Sequence, residues 1–224
     1  MEDILPKARK TFYTEVVKRV LDILLSGIGL IVLIPLFIVV YLLELKYHGS
    51  PAFFNQERVG LHNKIFKMYK FRSMTNETDE NGELLPDSVR LTEFGEFIRG
   101  KSIDELPQLL CIFKGEMSII GPRPLPVKYL QYYTPRHMKR HEVKPGLALL
   151  PITPLKTWSY FDQFETDIWY IQNCSFIVDV KILIAIIKEI ISPSDYRKKA
   201  TREHYNGKNL YTDAKDPENT SMGA

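Results

Sequence analysis

The feature that most constrains this chain is an uncharged apolar run from Ile23 to Leu43, which is 21 residues long. A helix of this length and composition matches the hydrocarbon core of a lipid bilayer, and water-soluble domains rarely contain one. No small-residue cleavage site follows the run, and it is longer than the apolar stretch of a signal peptide. The sequence therefore predicts a segment that is inserted in a membrane.

Whether this segment crosses the membrane is a separate question, because its two flanks are alike. A spanning helix carries Lys and Arg mainly on its cytoplasmic side. Here Lys18 and Arg19 precede the run, and Lys46 and Arg58 follow it. Pro35, near the middle, removes a helical hydrogen bond and kinks the axis. A re-entrant helix that enters and leaves by one face fits these features, and so does a spanning helix with a tolerated proline.

The overall composition is that of a folded protein with a mildly basic surface. Hydrophobic residues make up 45% of the chain and charged residues 25%, which excludes wholesale disorder. The net charge of +3 suits an anionic membrane surface or a phosphorylated substrate without deciding between them. The two cysteines, Cys111 and Cys174, lie far apart and in apolar surroundings, as expected for free thiols in a reducing compartment.

Periodicity beyond the apolar run predicts an α+β fold: a re-entrant membrane helix, a small mixed catalytic domain and interfacial amphipathic helices. Three parts are expected: residues 1–48 with the membrane helix, 49–195 as the catalytic domain, and a polar tail at 196–224. Short strands are predicted at 53–54 and 65–72, and an exposed loop at 75–88. Helices are predicted at 91–99, 105–114, 126–139 and 176–192, the last either interfacial or packed on the core.

Two adjacent acids, Asp104 and Glu105, stand just before Pro107 and pose a choice between a structural and a chemical role. Ser102 and Glu105 fit the capping-box pattern, but that register places Pro107 at the fifth helical position, where its missing N–H costs a hydrogen bond. A helix that begins at Asp104 or Glu105 instead tolerates Pro107 in its first turn. Both carboxylates would then lie at the positive end of the helix dipole and stay ionised.

Cations near predicted element ends favour the chemical role: Arg72, Arg90, Arg99, Lys101 and Arg123. Arg123 lies between two prolines, which stiffen the backbone around a guanidinium able to hold a phosphate through two hydrogen bonds. An aspartate can attack phosphorus and form an acyl phosphate. A neighbouring acid can coordinate Mg²⁺, which neutralises a diphosphate. Together with the membrane segment, these residues suggest phosphoryl transfer at a membrane surface.

Several motifs in order make the chain resemble the bacterial sugar transferase family, the monotopic phosphoglycosyl transferases, and especially its small members typified by undecaprenyl-phosphate bacillosamine phosphotransferase. The matching motifs are KRVLD at 18–22, QERVG at 56–60, FKMYKFRSM at 66–74, SIDELPQL at 102–109, KGEMSIIGPRP at 114–124 and KPG at 144–146. The resemblance covers nearly the whole chain.

The resemblance implies an Mg²⁺-dependent enzyme in which Asp104 is the nucleophile. Asp104 would attack the sugar-bearing phosphate of a UDP-sugar, release UMP and pass the phosphosugar to polyprenol phosphate. Glu105 would assist, by handling the acceptor's proton or by holding the metal together with Asp104. The candidate phosphate-binding residues are Lys70, Arg72, Arg99 and Arg123.

The resemblance also implies a location and partners. The membrane helix would be re-entrant with its kink at Pro35, and the protein would sit monotopically on the cytoplasmic face of the bacterial inner membrane. Its partners would be a UDP-sugar, polyprenol phosphate and membrane lipid, with a homodimer possible. No nucleic-acid partner is expected.

Two departures from the family pattern leave an alternative open. Ile34 stands where members usually have serine before the kink proline. Residues 147–158 read LALLPITPLKTW, where the family has a segment of the type GWAQVNGRN, and the pattern resumes at residue 164. The alternative is a catalytically weak relative that acts as a membrane-bound binding or scaffold module.

Overall fold

The computed structural model describes residues 5–149 and 159–191, and it has the mixed helical and sheet content predicted from the sequence. The α-helices are α1 (Lys18–Val32), α2 (Ile34–Tyr47), α3 (Asp87–Arg90), α4 (Glu93–Gly100), α5 (Gln108–Lys114), α6 (Pro135–Met138), α7 (Tyr160–Asn173) and α8 (Phe176–Ile191). The strands are β1 (Phe53–Val59), β2 (Ile65–Phe71), β3 (Ser118–Ile120) and β4 (Gly146–Ala148).

The chain divides into two compact units. The helix-break unit comprises Leu21–Glu57 and Phe66–Met117, and the terminal unit comprises Met1–Val20, Arg58–Ile65 and Ser118–Ala224. The domain boundaries predicted from the sequence stay predictions. The predicted tail at 196–224 and most of the altered segment, residues 150–158, lie outside the described residues.

The apolar run forms two helices that meet at a break. Leu33 has non-helical backbone angles (φ −88°, ψ 3°), and Pro35 follows in the first turn of α2, where its missing N–H costs little. The axes of Tyr13–Val32 and Ile34–Tyr47 differ by 61°. Among the described residues no single helix is long and apolar enough to cross a membrane, whereas this bent pair together meets the criteria of length and composition.

Small and apolar residues hold the helix-break unit together. The glycines of α1 face α5, because a Cβ added at Gly29 would lie 3.3 Å from the Leu109 Cδ1 atom. Val40 of α2, Phe71 of β2 and Ile98 of α4 form a buried cluster. This cluster fixes α4 against the second half of the broken helix, and α4 leads directly into the acid pair.

Helix α4 begins where the predicted amphipathic helix was expected, and its N-terminus is well defined. The Thr92 hydroxyl accepts a hydrogen bond from the Gly95 amide at 2.9 Å and so acts as the N-cap. Gly95 packs against the backbone just after β2 so tightly that a Cβ there would lie 1.9 Å from the carbonyl oxygen of Ser73. Only glycine fits this contact between two backbones.

The terminal unit is built around a pair of parallel strands and two helices. Strands β3 and β4 pair with Ser118 opposite Gly146. Helix α7 starts with a capping box, in which Ser159 and Asp162 exchange backbone and side-chain hydrogen bonds. Apolar side chains of α7 and α8 pack with β3 in a common core: Ile120, Ile168, Tyr170, Ile171, Cys174 and Ile182.

Two helix predictions differ in outcome. Helix α8 is present at Phe176–Ile191, close to the predicted bounds, and it leaves large apolar side chains exposed, among them Ile177 and Ile184. The segment predicted to be helical at 126–139 is helical in separate pieces. The chain there forms a 3₁₀ segment (Val127–Tyr132) and then α6, because Thr134 caps a new helix whose first residue is Pro135.

Candidate active site

The acid pair lies on a tight turn between two helices. After α4 ends at Gly100, Ser102 adopts a left-handed conformation (φ 55°), and Ile103–Glu105 form a single 3₁₀ turn. A non-glycine residue in this conformation costs about 1 kcal/mol or more, and such strain is concentrated at functional sites. Asp104 and Glu105 are thus presented side by side on a short, strained turn.

Both helix registers considered for the acids are wrong. Ser102 makes no capping hydrogen bond with its side chain, so the capping box predicted for Ser102 and Glu105 is absent. Helix α5 begins only at Gln108, with Pro107 at its N-cap position. The left-handed turn at Ser102 and the ring of Pro107 separate the acids from α4 and α5, so neither acid lies inside an α-helix.

Lys70 of β2 brings the two carboxylates together. Its Nζ atom donates a hydrogen bond to Glu105 Oε1 at 2.6 Å and lies 3.7 Å from Asp104 Oδ2. The side chains of Lys70, Asp104 and Glu105 are 18%, 11% and 19% exposed, respectively. The cluster is therefore mostly shielded from water and still reachable from outside.

Burial raises the pKa of Asp104 above the usual range of an aspartate. The charges of Lys70 and Arg99 oppose this rise, whereas the neighbouring charge of Glu105 adds to it. Partial desolvation makes a carboxylate more basic, and nearby cations favour its ionised form. This combination suits a carboxylate that attacks an electrophile.

The predicted arginines fall into three different environments. Arg99, in the last turn of α4, is exposed, and within the described part of the chain its guanidinium makes no hydrogen bond. Its charge acts on Asp104, so this side chain could bind a phosphate beside the acid.

Arg72 is buried, and its guanidinium donates to the carbonyl oxygens of Pro51 and Met74 at 3.1 and 3.2 Å. Those contacts describe a structural role for Arg72.

Arg123 lies in the terminal unit, on the loop that follows β3. Its side chain is exposed, and its carbonyl oxygen accepts a hydrogen bond from the Arg140 guanidinium at 2.8 Å. The buried Arg140 also pairs with Asp167 and donates to the Tyr133 hydroxyl at 2.9 Å. The loop that carries Arg123 is therefore held by a buried charged network.

Sequence reasoning missed this network and a second one. In the helix-break unit, Glu44, His48 and Thr92 form a chain of buried hydrogen bonds. The i,i+4 spacing of Glu44 and His48 at the end of the apolar run was a usable signal. No comparable signal linked Arg140 to Asp167, which are 27 residues apart.

Asp104 and Glu105 are ligands of the type that Mg²⁺ prefers, but two carboxylates alone do not complete a metal site. Within the described residues no group of three or more His, Cys, Asp and Glu side chains could hold a metal ion. Mg²⁺, however, is commonly bound by one or two carboxylates together with substrate phosphates. Asp104 and Glu105 are two such hard oxygen ligands, so the donor set fits an ion that arrives with a diphosphate.

Comparisons with known proteins identify the family. The model of the bacterial sugar transferase family matches residues 13–193. An uncharacterized sugar transferase, EpsL, of Bacillus subtilis is 51% identical over 64% of this chain and 71% of its own length. A galactosyl transferase, CpsE, of Streptococcus agalactiae is 35% identical over 79% of this chain. A UDP-glucose:undecaprenyl-phosphate glucose-1-phosphate transferase of Klebsiella pneumoniae is 33% identical over 81% of it.

Coverage differs among these relatives. The matches span only 42% of the Streptococcus protein and 42% of the Klebsiella protein, so those two chains contain long regions with no counterpart in the match. The matched region of this chain contains the acid turn, Lys70, Arg99 and Arg123. The chain belongs to the bacterial sugar transferase family.

Proposed function

We propose that this protein transfers a sugar phosphate from a UDP-sugar to a polyprenol phosphate, with Asp104 as the nucleophile. The observation that carries the proposal is the acid turn, where a shielded Asp104 of raised pKa lies beside Glu105, Lys70 and Arg99. The names of the relatives support the substrate class, since that of Klebsiella uses UDP-glucose and undecaprenyl phosphate, and one of Salmonella typhimurium is an undecaprenyl-phosphate galactose phosphotransferase.

The reaction proceeds by two displacements at one phosphorus atom. A carboxylate oxygen of Asp104 attacks the sugar-bearing phosphorus of the donor. The bond between that phosphorus and the oxygen of UMP breaks, and its electron pair leaves with UMP. An oxygen of polyprenol phosphate then attacks the phosphorus of the aspartyl phosphosugar. The carboxylate of Asp104 leaves, and the product is a polyprenol diphosphate sugar.

The neighbouring residues divide the supporting tasks. Lys70 and Arg99 hold the phosphates of the donor beside Asp104. The phosphate-binding role expected of Arg123 stays a prediction. Glu105 accepts the proton of the incoming acceptor phosphate, since it is the second carboxylate on the turn. Asp104 and Glu105 would hold Mg²⁺, which would supply charge neutralisation to the donor's diphosphate.

The membrane segment is proposed to be re-entrant. The 61° bend at Leu33 and the basic residues on both flanks support a helix pair that enters and leaves by the cytoplasmic face of the bacterial plasma membrane. The large exposed apolar side chains of α1 and α2 would face lipid, and those of α8 would lie in the membrane interface. A polyprenol acceptor resides in the same bilayer.

The direct test is a screen for UMP release. The full chain in detergent micelles is incubated with a panel of UDP-sugars, polyprenol phosphate and Mg²⁺. We expect one or a few donors to give continuous UMP release that depends on the acceptor. If well-folded protein releases no UMP with any donor, the scaffold or binding-module alternative is favoured instead.

A second test uses the pH dependence that Lys70 imposes. The ammonium of Lys70 favours the ionised form of Asp104, so removing it raises the pKa of Asp104 further. The nucleophile is lost as pH falls through this pKa. In Lys70→Met, the acid limb of the kcat/KM profile should therefore move upward by about one pH unit.

Two variants make the Lys70 result specific. Lys67→Met removes the same charge from an exposed residue of β2 and should leave the profile in place. Lys70→Arg retains a cation and should shift the limb less than Lys70→Met. An acid limb that stays unchanged in Lys70→Met, or moves to lower pH, would argue against Asp104 as the titrating nucleophile.

A further inference from the structure

We propose that Glu44, His48 and Thr92 form a relay that positions the acid turn relative to the membrane helix. The Nδ1 atom of His48 lies 2.8 Å from Glu44 Oε2, and its Nε2 atom lies 2.7 Å from the hydroxyl oxygen of Thr92. The side chains of Glu44 and His48 are fully buried. This inference rests on the proposed function, because positioning matters only if Asp104 reacts.

One tautomer of His48 gives all the hydrogen bonds of the relay a single direction. The Gly95 amide donates to the Thr92 hydroxyl oxygen at 2.9 Å. In the tautomer with its proton on Nδ1, His48 accepts the Thr92 hydroxyl proton on Nε2 and donates to Glu44. Every donor in the chain is then satisfied, from the first turn of α4 to a carboxylate on the last turns of α2.

The cost of this arrangement argues against a role in packing alone. The second carboxylate oxygen of Glu44, Oε1, is buried and has no hydrogen-bond partner among the described residues. An unpartnered buried acceptor costs roughly 1–3 kcal/mol, and apolar residues of similar size would often stabilise a core more. These hydrogen bonds instead fix one defined position of α4 relative to α2.

The position of α4 is transmitted to Asp104 through a packed and hydrogen-bonded segment. Ile98 of α4 is fully buried against Val40 and Phe71. The Ser102 amide donates to the Arg99 carbonyl oxygen at 3.0 Å, and the Glu105 amide donates to the Ser102 carbonyl oxygen at 3.2 Å. Only Lys101 and Ser102 lie between the end of α4 and the 3₁₀ turn of the acids, so we expect a shift at the Thr92 cap to move Asp104.

Glu44 and Arg72 add further polar contacts near the end of α2. The Glu44 carboxylate interacts electrostatically with Arg72 and with Asp104. The guanidinium of Arg72 in turn donates to the carbonyl oxygens of Gly49 and Pro51, just beyond the end of α2. The end of the membrane helix is thus fixed by two polar contacts, one to α4 and one to the end of β2.

The test separates the two bonds of His48. The amide nitrogen of Asn occupies the place of Nδ1, so His48→Asn retains the bond to Glu44 and loses that to Thr92. The amide oxygen of Gln occupies the place of Nε2 and accepts the Thr92 hydroxyl proton, so His48→Gln retains the bond to Thr92. Both variants are measured for UMP release and for deuterium uptake across α4 and the acid turn.

We expect the bond to Thr92 to govern catalysis. In His48→Asn, kcat should fall roughly 10- to 100-fold with KM for the donor within about twofold of the wild type, since displacement of reacting groups by 1 Å costs this much. Deuterium uptake should rise across α4 and the acid turn. His48→Gln should keep kcat within about threefold of the wild type, although it leaves Glu44 unpaired and should lower the melting temperature more.

If a His48 variant does not fold, a second pair of variants changes Thr92, at the other end of the relay. Thr92→Ser keeps the hydroxyl, and Thr92→Val removes it while keeping the shape. Equal kcat and equal deuterium uptake within either pair would overturn the relay. If the wild type releases no UMP, the proposed function fails, and the deuterium uptake still decides whether the relay fixes the acid turn.

Discussion

Asp104→Asn should reduce UMP release by at least about 10³-fold, because the substitution removes the attacking oxygen anion while keeping the shape of the side chain. An amide cannot displace UMP from the donor phosphorus. The fold should persist, because Lys70 keeps its 2.6 Å contact with Glu105. The charge that Asp104→Asn removes is partly buried, so its loss should cost little stability. The measurement is steady-state UMP release with the best donor from the screen.

Asp87→Asn is the matched control for this loss. The side chain of Asp87 is 74% exposed and lies at the start of α3, where it pairs with Arg90. The same chemical change there should leave turnover within about twofold of the wild type, because surface substitutions are mostly neutral. Turnover in Asp104→Asn within about tenfold of the wild type would mean that another group performs the attack.

Gly95→Ala should destabilise the helix-break unit by about 3 kcal/mol or more, which is the range of severe overpacking. The added Cβ would lie 1.9 Å from the Ser73 carbonyl oxygen and 2.8 Å from the carbonyl carbon. Both atoms belong to the backbone and cannot rotate away. Either α4 separates from Ser73 or the unit fails to fold, so the expected result is a large drop in melting temperature and in activity.

Gly100→Ala provides the control for that prediction within the same helix. A Cβ added at Gly100 meets no atom within 4 Å. Alanine is a better helix former than glycine, so this variant should be neutral or more stable by up to about 1 kcal/mol. If Gly95→Ala melts at the same temperature as Gly100→Ala, the close contact between α4 and Ser73 is not present in the folded protein.

Local patterns were sufficient to predict several elements. The helical periodicity of Leu91, Phe94 and Ile98 placed α4 within two residues of its start, and the apolar spacing after Phe176 placed α8. The apolar run with Pro35 predicted a kinked helix, and a bend is present at Leu33. These features depend on neighbours three or four residues apart, which a sequence displays directly.

The geometry of the acid turn was not predictable in the same way. Ser102 gives the sequence of a capping box, yet its backbone is left-handed, because the chain must turn sharply between α4 and α5. The contact of Lys70 with both acids spans 34 and 35 residues and depends on how β2 packs. The buried pair of Arg140 and Asp167 likewise exists only after the terminal unit has folded.

The most direct test of the account is to trap the covalent intermediate. The full chain is incubated with its UDP-sugar and Mg²⁺ in the absence of polyprenol phosphate, and intact mass spectrometry is followed by peptide mapping. We predict a mass increase equal to one phosphosugar, located on Asp104, lost when the acceptor is added and absent in Asp104→Asn. Continuous acceptor-dependent UMP release with no adduct, or an adduct on another residue, would contradict the assignment of Asp104.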